Sequence, residues 1–163
     1  MSETSTEERA MGGSAPREAL KRLDVLVGEW VVESGFPDLA APAGRTVFEW
    51  TLDGRFLVQR SEIPVPEAPD STAIVATDPE TGAYTQHYFD SRGIVRLYAM
   101  TFAGGVWRLL RETPDFSPLA FRQRFTGQVA DDGDTIHGVW ETSPTDGPPA
   151  WEQDFTVTYR RSR

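Results

Sequence analysis

The sequence predicts an all-β fold, a ten-stranded antiparallel up-and-down β-barrel preceded by one short N-terminal helix. From Gly28 onward, apolar residues recur with a period of two in runs rich in Val, Ile, Thr, Tyr, Phe and Trp. Turns such as Asp53-Gly54 and Asp132-Gly133 separate the runs and suit tight hairpins. An open sheet of sequential strands would expose two edges, and closing the sheet into a barrel removes both.

The N-terminal segment divides into a tail and a helix. Residues 1–15 are polar and acidic without apolar periodicity, so we expect a disordered acidic tail. Ser14 is a suitable N-cap and Gly28 a suitable terminator for an amphipathic helix over about 16–27. Its apolar face consists of Leu20, Leu23, Leu26 and Val27. Residues 16–163 are then one barrel domain.

The strands and loops follow from periodicity and from the Pro-rich segments. The predicted strands span about 28–35, 45–53, 55–63, 71–78, 83–90, 94–102, 106–113, 120–130, 134–143 and 150–161. Segments 64–70, 114–118 and 144–149 contain prolines that cannot donate ladder hydrogen bonds, which predicts longer loops at the barrel rim. A barrel of about eight strands already holds one small ligand, so a ten-stranded one should enclose a cavity.

Charge and composition limit the partners. A net charge of −9 with a pI near 4.7 repels polyphosphate and anionic bilayers, which argues against nucleic acid and membrane partners. The chain has no cysteine, no apolar run of about 18 residues, and no apolar centre of a secretory signal in its first sixteen residues. We expect a cytoplasmic monomer or homodimer.

A short motif carries a resemblance to a known superfamily. Leu26-Val27-Gly28-Glu29-Trp30 places Gly-x-Trp on the first strand, directly after the helix. This resembles the calycins, the lipocalin and fatty-acid-binding superfamily. With the hairpin at 52–57 and the turn at 88–93, the chain is similar over about 20–160 to a bacterial lipocalin-like family of unknown function related to nitrobindins. The resemblance implies a barrel that holds a ligand in its lumen.

The same resemblance raises the question of haem. Nitrobindins carry an extended Gly-x-Trp-x-Gly-x-Gly motif and bind haem through a histidine on a late strand. Here Val31-Val32-Glu33-Ser34-Gly35 follows the tryptophan, and residues 151–161 contain no histidine. Because haem iron needs an axial ligand, we expect the fold without haem and without any other cofactor.

Trp30 is predicted to close the helix end of the barrel. A large ring on the first strand fills that end and can stack beneath an arginine of the last strand, either Arg160 or Arg161.

The second hairpin supplies candidate lumen residues. A three-residue loop, Asp53-Gly54-Arg55, would pair Trp50 with Val58 and Phe48 with Arg60 on an inward face. Arg60 would then either form an internal pair with Glu62 or bind an anionic ligand. A shorter loop would move these partners to the other face. Alternation adds residues of later strands, and the predicted ligand-binding set is Phe48, Trp50, Val58, Arg60, His87, Gln123, Gln153 and Phe155.

Histidine and carboxylate spacing argues against a metal site. His87 and His137 lie on different strands, and the acidic turn 131–134 lacks the ligand spacing of a calcium loop. His87 shares a face with Thr85 and Phe89 and is either a partly exposed strand residue or a polar anchor or acid/base in the lumen.

Three functions remain open at this point. The first is non-catalytic binding of a small, mostly apolar ligand, with or without an anionic end, inside the barrel. The second is a cyclase, isomerase or hydrolase type of enzyme in the same lumen, with His87 as acid or base and Arg60 holding an anionic intermediate. The third is an interaction module that uses the outer sheet face.

Overall fold

The computed structural model describes residues 14–35, 43–66 and 68–162. A helix, α1 (Ser14–Arg22), continues into a 3₁₀ turn (Leu23–Leu26). The ten strands are β1 (Gly28–Gly35), β2 (Gly44–Thr51), β3 (Phe56–Glu62), β4 (Ser71–Thr77), β5 (Tyr84–Asp90), β6 (Val95–Ala103), β7 (Val106–Arg111), β8 (Arg122–Val129), β9 (Thr135–Ser143) and β10 (Glu152–Arg161).

The strands close into a barrel. Each one pairs antiparallel with its neighbour in sequence, and β1 also pairs with β10 from Trp30↔Arg161 to Gly35↔Thr156. The predicted ten-stranded up-and-down barrel with one short N-terminal helix is confirmed, and each strand begins and ends within two residues of its predicted bounds. The helix begins at Ser14, inside the last residues assigned to the tail, and residues 1–13 of that tail lie outside the described residues.

The helix covers one end of the barrel, called here the helix end. Trp30 is fully buried there, and its Nε1 donates to the carbonyl oxygen of Leu26 at 2.8 Å. The Arg161 guanidinium lies 4.2 Å from the centre of the Trp30 ring and donates to the carbonyl oxygens of Val25 and Val27. The predicted plug is therefore confirmed with Arg161, whereas Arg160 faces outward near Glu33.

The other end, called here the mouth, carries the long loops. In an up-and-down barrel the connections alternate between the two ends, so the segments after β3, β7 and β9 all lie opposite the helix. These are the three Pro-rich loops, and their predicted place at the rim is confirmed. The mouth is the end through which a ligand can enter.

The hairpin between β2 and β3 has a different register from the predicted one. Thr51 pairs with Phe56, which leaves a four-residue turn that begins at Leu52. Leu52 and Asp53 have φ values of 50° and 60°, so the left-handed part of the turn starts one residue earlier than the Asp-Gly pair indicates. Phe48 and Trp50 therefore lie opposite Gln59 and Leu57.

Candidate ligand-binding cavity

The barrel interior is filled at the helix end and open toward the mouth. The side chains of Phe48, Trp107 and Phe125 are buried in mid-barrel, with ring centres 5.9 Å apart for Phe48 and Trp107 and 4.8 Å apart for Trp107 and Phe125. Above this layer a cavity of about 470 Å³ extends to the mouth. The cavity predicted from the strand number is therefore present in one half of the barrel.

One wall of the cavity is aromatic and comes from β6 to β10. Its members are Tyr98, Trp107, Phe125, Trp140 and Phe155. Trp140 stands at the centre of this wall, with its ring centre 5.0 Å from that of Phe125 and 5.9 Å from that of Tyr98. The Trp140 and Phe155 rings are nearly parallel, with an angle of 27° between their planes. The wall therefore offers a broad apolar surface, in which Trp140 and Phe155 lie closest to parallel.

The opposite wall is polar and comes from β2 to β5. Its members are Thr46, Gln59, Ser61, Ser71 and Gln86. Thr46 and Ser61 share a hydrogen bond of 2.8 Å between their hydroxyl oxygens, and Gln86 donates to the Oε1 of Gln59 at 3.4 Å. These side chains satisfy one another in part, as buried polar groups must, while still presenting donors and acceptors to the cavity. The sequence analysis missed Gln59 and Ser61 because the inward set of β3 depends on the hairpin register, and it missed Gln86 because His87 was the candidate for the inward face of β5.

Four charged residues line the cavity at the mouth. They are Arg45, Glu62, Arg92 and Arg96. Arg45 forms an ion pair with Glu29, and Arg92 donates to Asp90 at 2.7 Å. The Oε1 atom of Gln123 accepts hydrogen bonds from the hydroxyl of Tyr98 at 2.7 Å and from the Nη1 of Arg96 at 3.4 Å. Two of the three arginines at the cavity mouth, Arg45 and Arg92, are thus compensated by carboxylates.

Three tyrosines of the cavity are held in their neutral form. Burial raises the pKa of the Tyr159 hydroxyl to about 12 and also raises the pKa of Tyr98. Burial raises the pKa of Tyr88 further, and its hydrogen bond to Asp90, 2.9 Å long, acts in the same direction. At physiological pH these phenols therefore act as hydrogen-bonding and apolar groups rather than as bases.

Four of the predicted binding residues point into the barrel or cover its helix end. Gln123 and Phe155 line the cavity. Phe48 belongs to the buried layer beneath it. Trp50 packs against the core near the helix end, where its Nε1 donates to Asp24 at 3.1 Å.

The other four predicted residues do not face the lumen. Val58 and Arg60 lie on the outer face because the hairpin register differs by one residue, and Arg60 pairs there with Glu49. Gln153 is exposed because an irregularity between Gln153 and Phe155 interrupts the alternation of β10. The predicted inward orientation of these residues is wrong, and with it both alternatives for Arg60, an internal pair with Glu62 and an anionic ligand in the lumen.

His87 also lies on the outer face. Its strand neighbours Gln86 and Tyr88 line the cavity, so alternation turns His87 away from it. Its Nε2 lies 3.3 Å from the hydroxyl of Thr85. His87 is therefore a partly exposed strand residue, and the alternative that it is a polar anchor or acid/base in the lumen is wrong.

The acidic turn between β8 and β9 is used for an ion pair. Asp134 accepts from the Nε of Arg161 at 3.0 Å and so ties the turn to the helix-end closure. Across the described ranges, no three His, Asp or Glu side chains come together in a geometry that could hold a metal ion. In the same residues, no helix has the length and hydropathy of a membrane span.

Comparison with known proteins gives similarity of fold only. No protein-family model and no curated protein matches the sequence. The chain is similar to the crystal structure of Rv2717c from M. tuberculosis, with a TM-score of 0.59 and 17% identity over 89% of this chain and 98% of that chain. A redesigned beta barrel also matches, with a TM-score of 0.42 and 13% identity over 87% of this chain and 96% of that one. At such identities the similarity concerns the fold alone.

Proposed function

We propose that this chain binds a small, mostly apolar molecule inside the barrel and that binding, rather than catalysis, is its activity. The observation that carries the proposal is the cavity of about 470 Å³ with an aromatic wall and a few polar side chains. Ligand sites typically measure about 300–1,000 Å³ and have this composition. The neighbouring Rv2717c structure supports the fold in which such a cavity occurs.

We propose further that the ligand is not haem. A relation to nitrobindins, which the Gly28-Glu29-Trp30 motif favours, would raise the expectation of a haem site. The chain contains two histidines, and the side chains of both His87 and His137 lie outside the cavity lining. An imidazole ligand to haem iron is thus missing from the lumen, and the chain has no cysteine to replace it. The lumen tyrosines, Tyr88, Tyr98 and Tyr159, are held in the neutral form by burial, which raises the pKa of each, and a tyrosine ligates haem iron as the phenolate. The residues do not fit the group.

The two alternative functions receive less support. The enzyme hypothesis depended on His87 and Arg60 in the lumen, and both face outward. The interaction hypothesis requires a contiguous exposed apolar patch. The most exposed large apolar residues among those described are Phe116 at 75% and Leu52 at 70%, and they lie at opposite ends of the barrel. We therefore propose that the partner is a small molecule. Because the net charge is −9, we propose that it is neither a nucleic acid nor a membrane.

A pair of matched substitutions tests the cavity as the binding site. Ala73 lines the cavity on β4, whereas Ala99 is exposed on β6. Phenylalanine at position 73 takes up space that an apolar ligand would use, and burial of one such group is worth about 1.5–3 kcal/mol. We expect Ala73→Phe to weaken binding of the neutral fluorescent probe N-phenyl-1-naphthylamine about tenfold or more. Ala99→Phe should bind the probe as the wild type does.

The titrations are accompanied by circular dichroism, which shows whether each variant keeps its strand content. The proposal is overturned if the wild type shows no saturable probe binding. It is also overturned if folded Ala73→Phe binds the probe with the wild-type affinity.

A further inference from the structure

Arg111 and Arg96 face inward in the mouth half of the barrel, and they differ in how their charge is compensated. Arg111 on β7 is 4% exposed and is held by Asp115, whose two carboxylate oxygens accept at 2.9 and 3.0 Å. Arg96 on β6 lies opposite Tyr88, another cavity residue, and two positions before Tyr98 on the same face. Among the described residues, Arg96 has no ion-pair partner.

The contacts of Arg96 hold it in place without neutralising it. Its guanidinium carbon lies 5.8 Å from the centre of the Phe121 ring, and its Nη1 reaches the Oε1 of Gln123 at 3.4 Å. An unpaired charge that is half-buried in this way is costly, and an anion beside it would offset that cost. Arg45 and Arg92 differ in this respect because Glu29 and Asp90 already accept from them.

Gln123 adds an oriented donor beside Arg96. Its Oε1 is occupied by Tyr98 and Arg96 at 2.7 and 3.4 Å. This arrangement fixes the amide, and within the described part of the chain its NH₂ group has no acceptor. A guanidinium and the free N–H of an amide that it contacts are neighbouring donors of the kind that suits a carboxylate or sulfonate.

The aromatic wall begins next to this donor pair. Tyr98, which is hydrogen-bonded to Gln123, contacts Trp140 edge to face with ring centres 5.9 Å apart. Beyond it the Trp140 and Phe155 planes lie within 27° of each other. A planar ring system is the shape that covers such a surface best, because stacked or tilted aromatic contacts add about 0.5–1.5 kcal/mol beyond the area buried.

We propose that Arg96 and the amide of Gln123 bind the anionic group of a planar, ring-bearing organic acid whose rings lie against Trp140 and Phe155. The inference rests on the proposed function and adds the charge and the shape of the ligand. It also places the anion site at Arg96, whereas the sequence analysis assigned it to Arg60. A net charge of −9 repels anions from the protein as a whole, so an anionic ligand needs an uncompensated cation such as Arg96 at its site.

Two probes that share their rings but differ in charge test the inference. 1-Anilinonaphthalene-8-sulfonate carries a sulfonate, and N-phenyl-1-naphthylamine carries the same rings without it. Both are titrated by fluorescence against the wild type, Arg96→Gln and Arg108→Gln. Arg108 is an exposed arginine on the outer face of β7, so its substitution removes the same charge away from the cavity.

We expect Arg96→Gln to weaken the sulfonate probe about tenfold or more, the effect of a charged hydrogen bond, and to leave the neutral probe unchanged. Arg108→Gln should leave both probes unchanged. Binding of the sulfonate probe should also weaken as salt is raised from low to high ionic strength. Circular dichroism of each variant shows that the fold is kept.

The outcomes separate the two proposals. If the wild type binds neither probe, the proposed function fails together with the inference. If it binds both probes and Arg96→Gln weakens neither or weakens both equally, the cavity stands and the anion site at Arg96 is overturned. Competition decides the shape: 2-naphthoate should displace the sulfonate probe at lower concentration than decanoate, and the reverse order overturns the ring-bearing part.

Discussion

The buried ion pair of Arg111 and Asp115 gives the sharpest prediction about stability. The two side chains are 4% and 7% exposed, and the pair is bidentate. Arg111 also donates to the carbonyl oxygen of Ser117, and Asp115 accepts from the backbone N–H of Leu97 at 2.8 Å. The pair therefore ties the loop after β7 to β6 beside the cavity mouth. The perturbation is Asp115→Asn, which keeps the shape and removes the charge.

The magnitude follows from what the substitution leaves behind. A neutral amide cannot compensate the buried guanidinium of Arg111, and breaking such a pair costs about 3–5 kcal/mol. Because Asn keeps one acceptor oxygen for the N–H of Leu97, we expect about 3 kcal/mol of lost unfolding free energy. A double variant, Arg111→Met with Asp115→Asn, removes both charges and should be less destabilised than Asp115→Asn alone.

The same pair predicts a pH dependence. The hydrogen bonds from Arg111, followed by those from the Leu97 and Ser117 amides, hold the pKa of Asp115 well below its usual range. As pH falls below about 4, the unfolded chain takes up a proton that the native carboxylate does not. The unfolding free energy of the wild type therefore decreases there, while this contribution is absent from Asp115→Asn. The difference in stability between the two proteins should narrow below about pH 4.

Urea denaturation followed by circular dichroism at several pH values measures these quantities. The control is Glu49→Gln, which breaks an outer-face pair whose side chains are both 53% exposed, with an expected cost of at most about 1 kcal/mol. The reasoning is refuted if Asp115→Asn costs no more than the control at neutral pH. It is also refuted if the difference between wild type and variant stays constant down to pH 2.

Three further predictions concern the helix end, the buried tyrosine and the core. Arg161→Ala should lower the unfolding free energy by about 2–4 kcal/mol, whereas Arg160→Ala should lower it by at most about 1 kcal/mol. Equal losses for the two variants in urea denaturation would contradict the role of Arg161 in closing the helix end. The pKa of Tyr159 is raised to about 12, so above about pH 10 the unfolded chain loses a proton that the native phenol keeps, and the unfolding free energy should decrease. Tyr159→Phe should lack this decrease. If the wild type and Tyr159→Phe lose stability equally above about pH 10 in urea denaturation, the buried neutral tyrosine is contradicted. A Cβ at Gly138 would lie 2.5 Å from the Phe125 ring, so Gly138→Ala should cost about 1–3 kcal/mol in thermal or urea unfolding, and an unchanged stability would contradict this packing.

Much of the fold could be predicted from local signals. Period-two patterning and turn residues place all ten strands, and closure of the sheet follows from the need to cover its edges. The position of Trp30 just after the helix, together with arginines at the end of the last strand, was enough to predict their contact at the helix end.

The orientation of individual strands was harder to predict, because one extra residue reverses a face. Leu52 adopts φ of 50°, which is rare for a branched apolar residue, and this moves Val58 and Arg60 outward. Asp154 is the extra residue that turns Gln153 away from the lumen. Neither irregularity has a sequence signal strong enough to outweigh regular alternation.

Arg96 had a usable signal. The apolar residues Tyr98, Met100 and Phe102 alternate along β6 and are buried, and extending their face by two positions reaches Arg96. At this position alternation predicts an inward side chain, whereas the charge of arginine predicts one that faces water. Such a conflict between levels marks a functional site more often than an ordinary core position.

The most direct test of the cavity as a binding site is a crystal structure of the protein with 6-iodo-2-naphthoate, in which anomalous scattering locates the iodine. We predict that the carboxylate lies within hydrogen-bond distance, about 3 Å, of Arg96 and that the iodine lies deeper in the barrel beside Trp140 and Phe155. If iodine peaks of high occupancy appear only on the outer surface of the protein, the cavity is not the binding site.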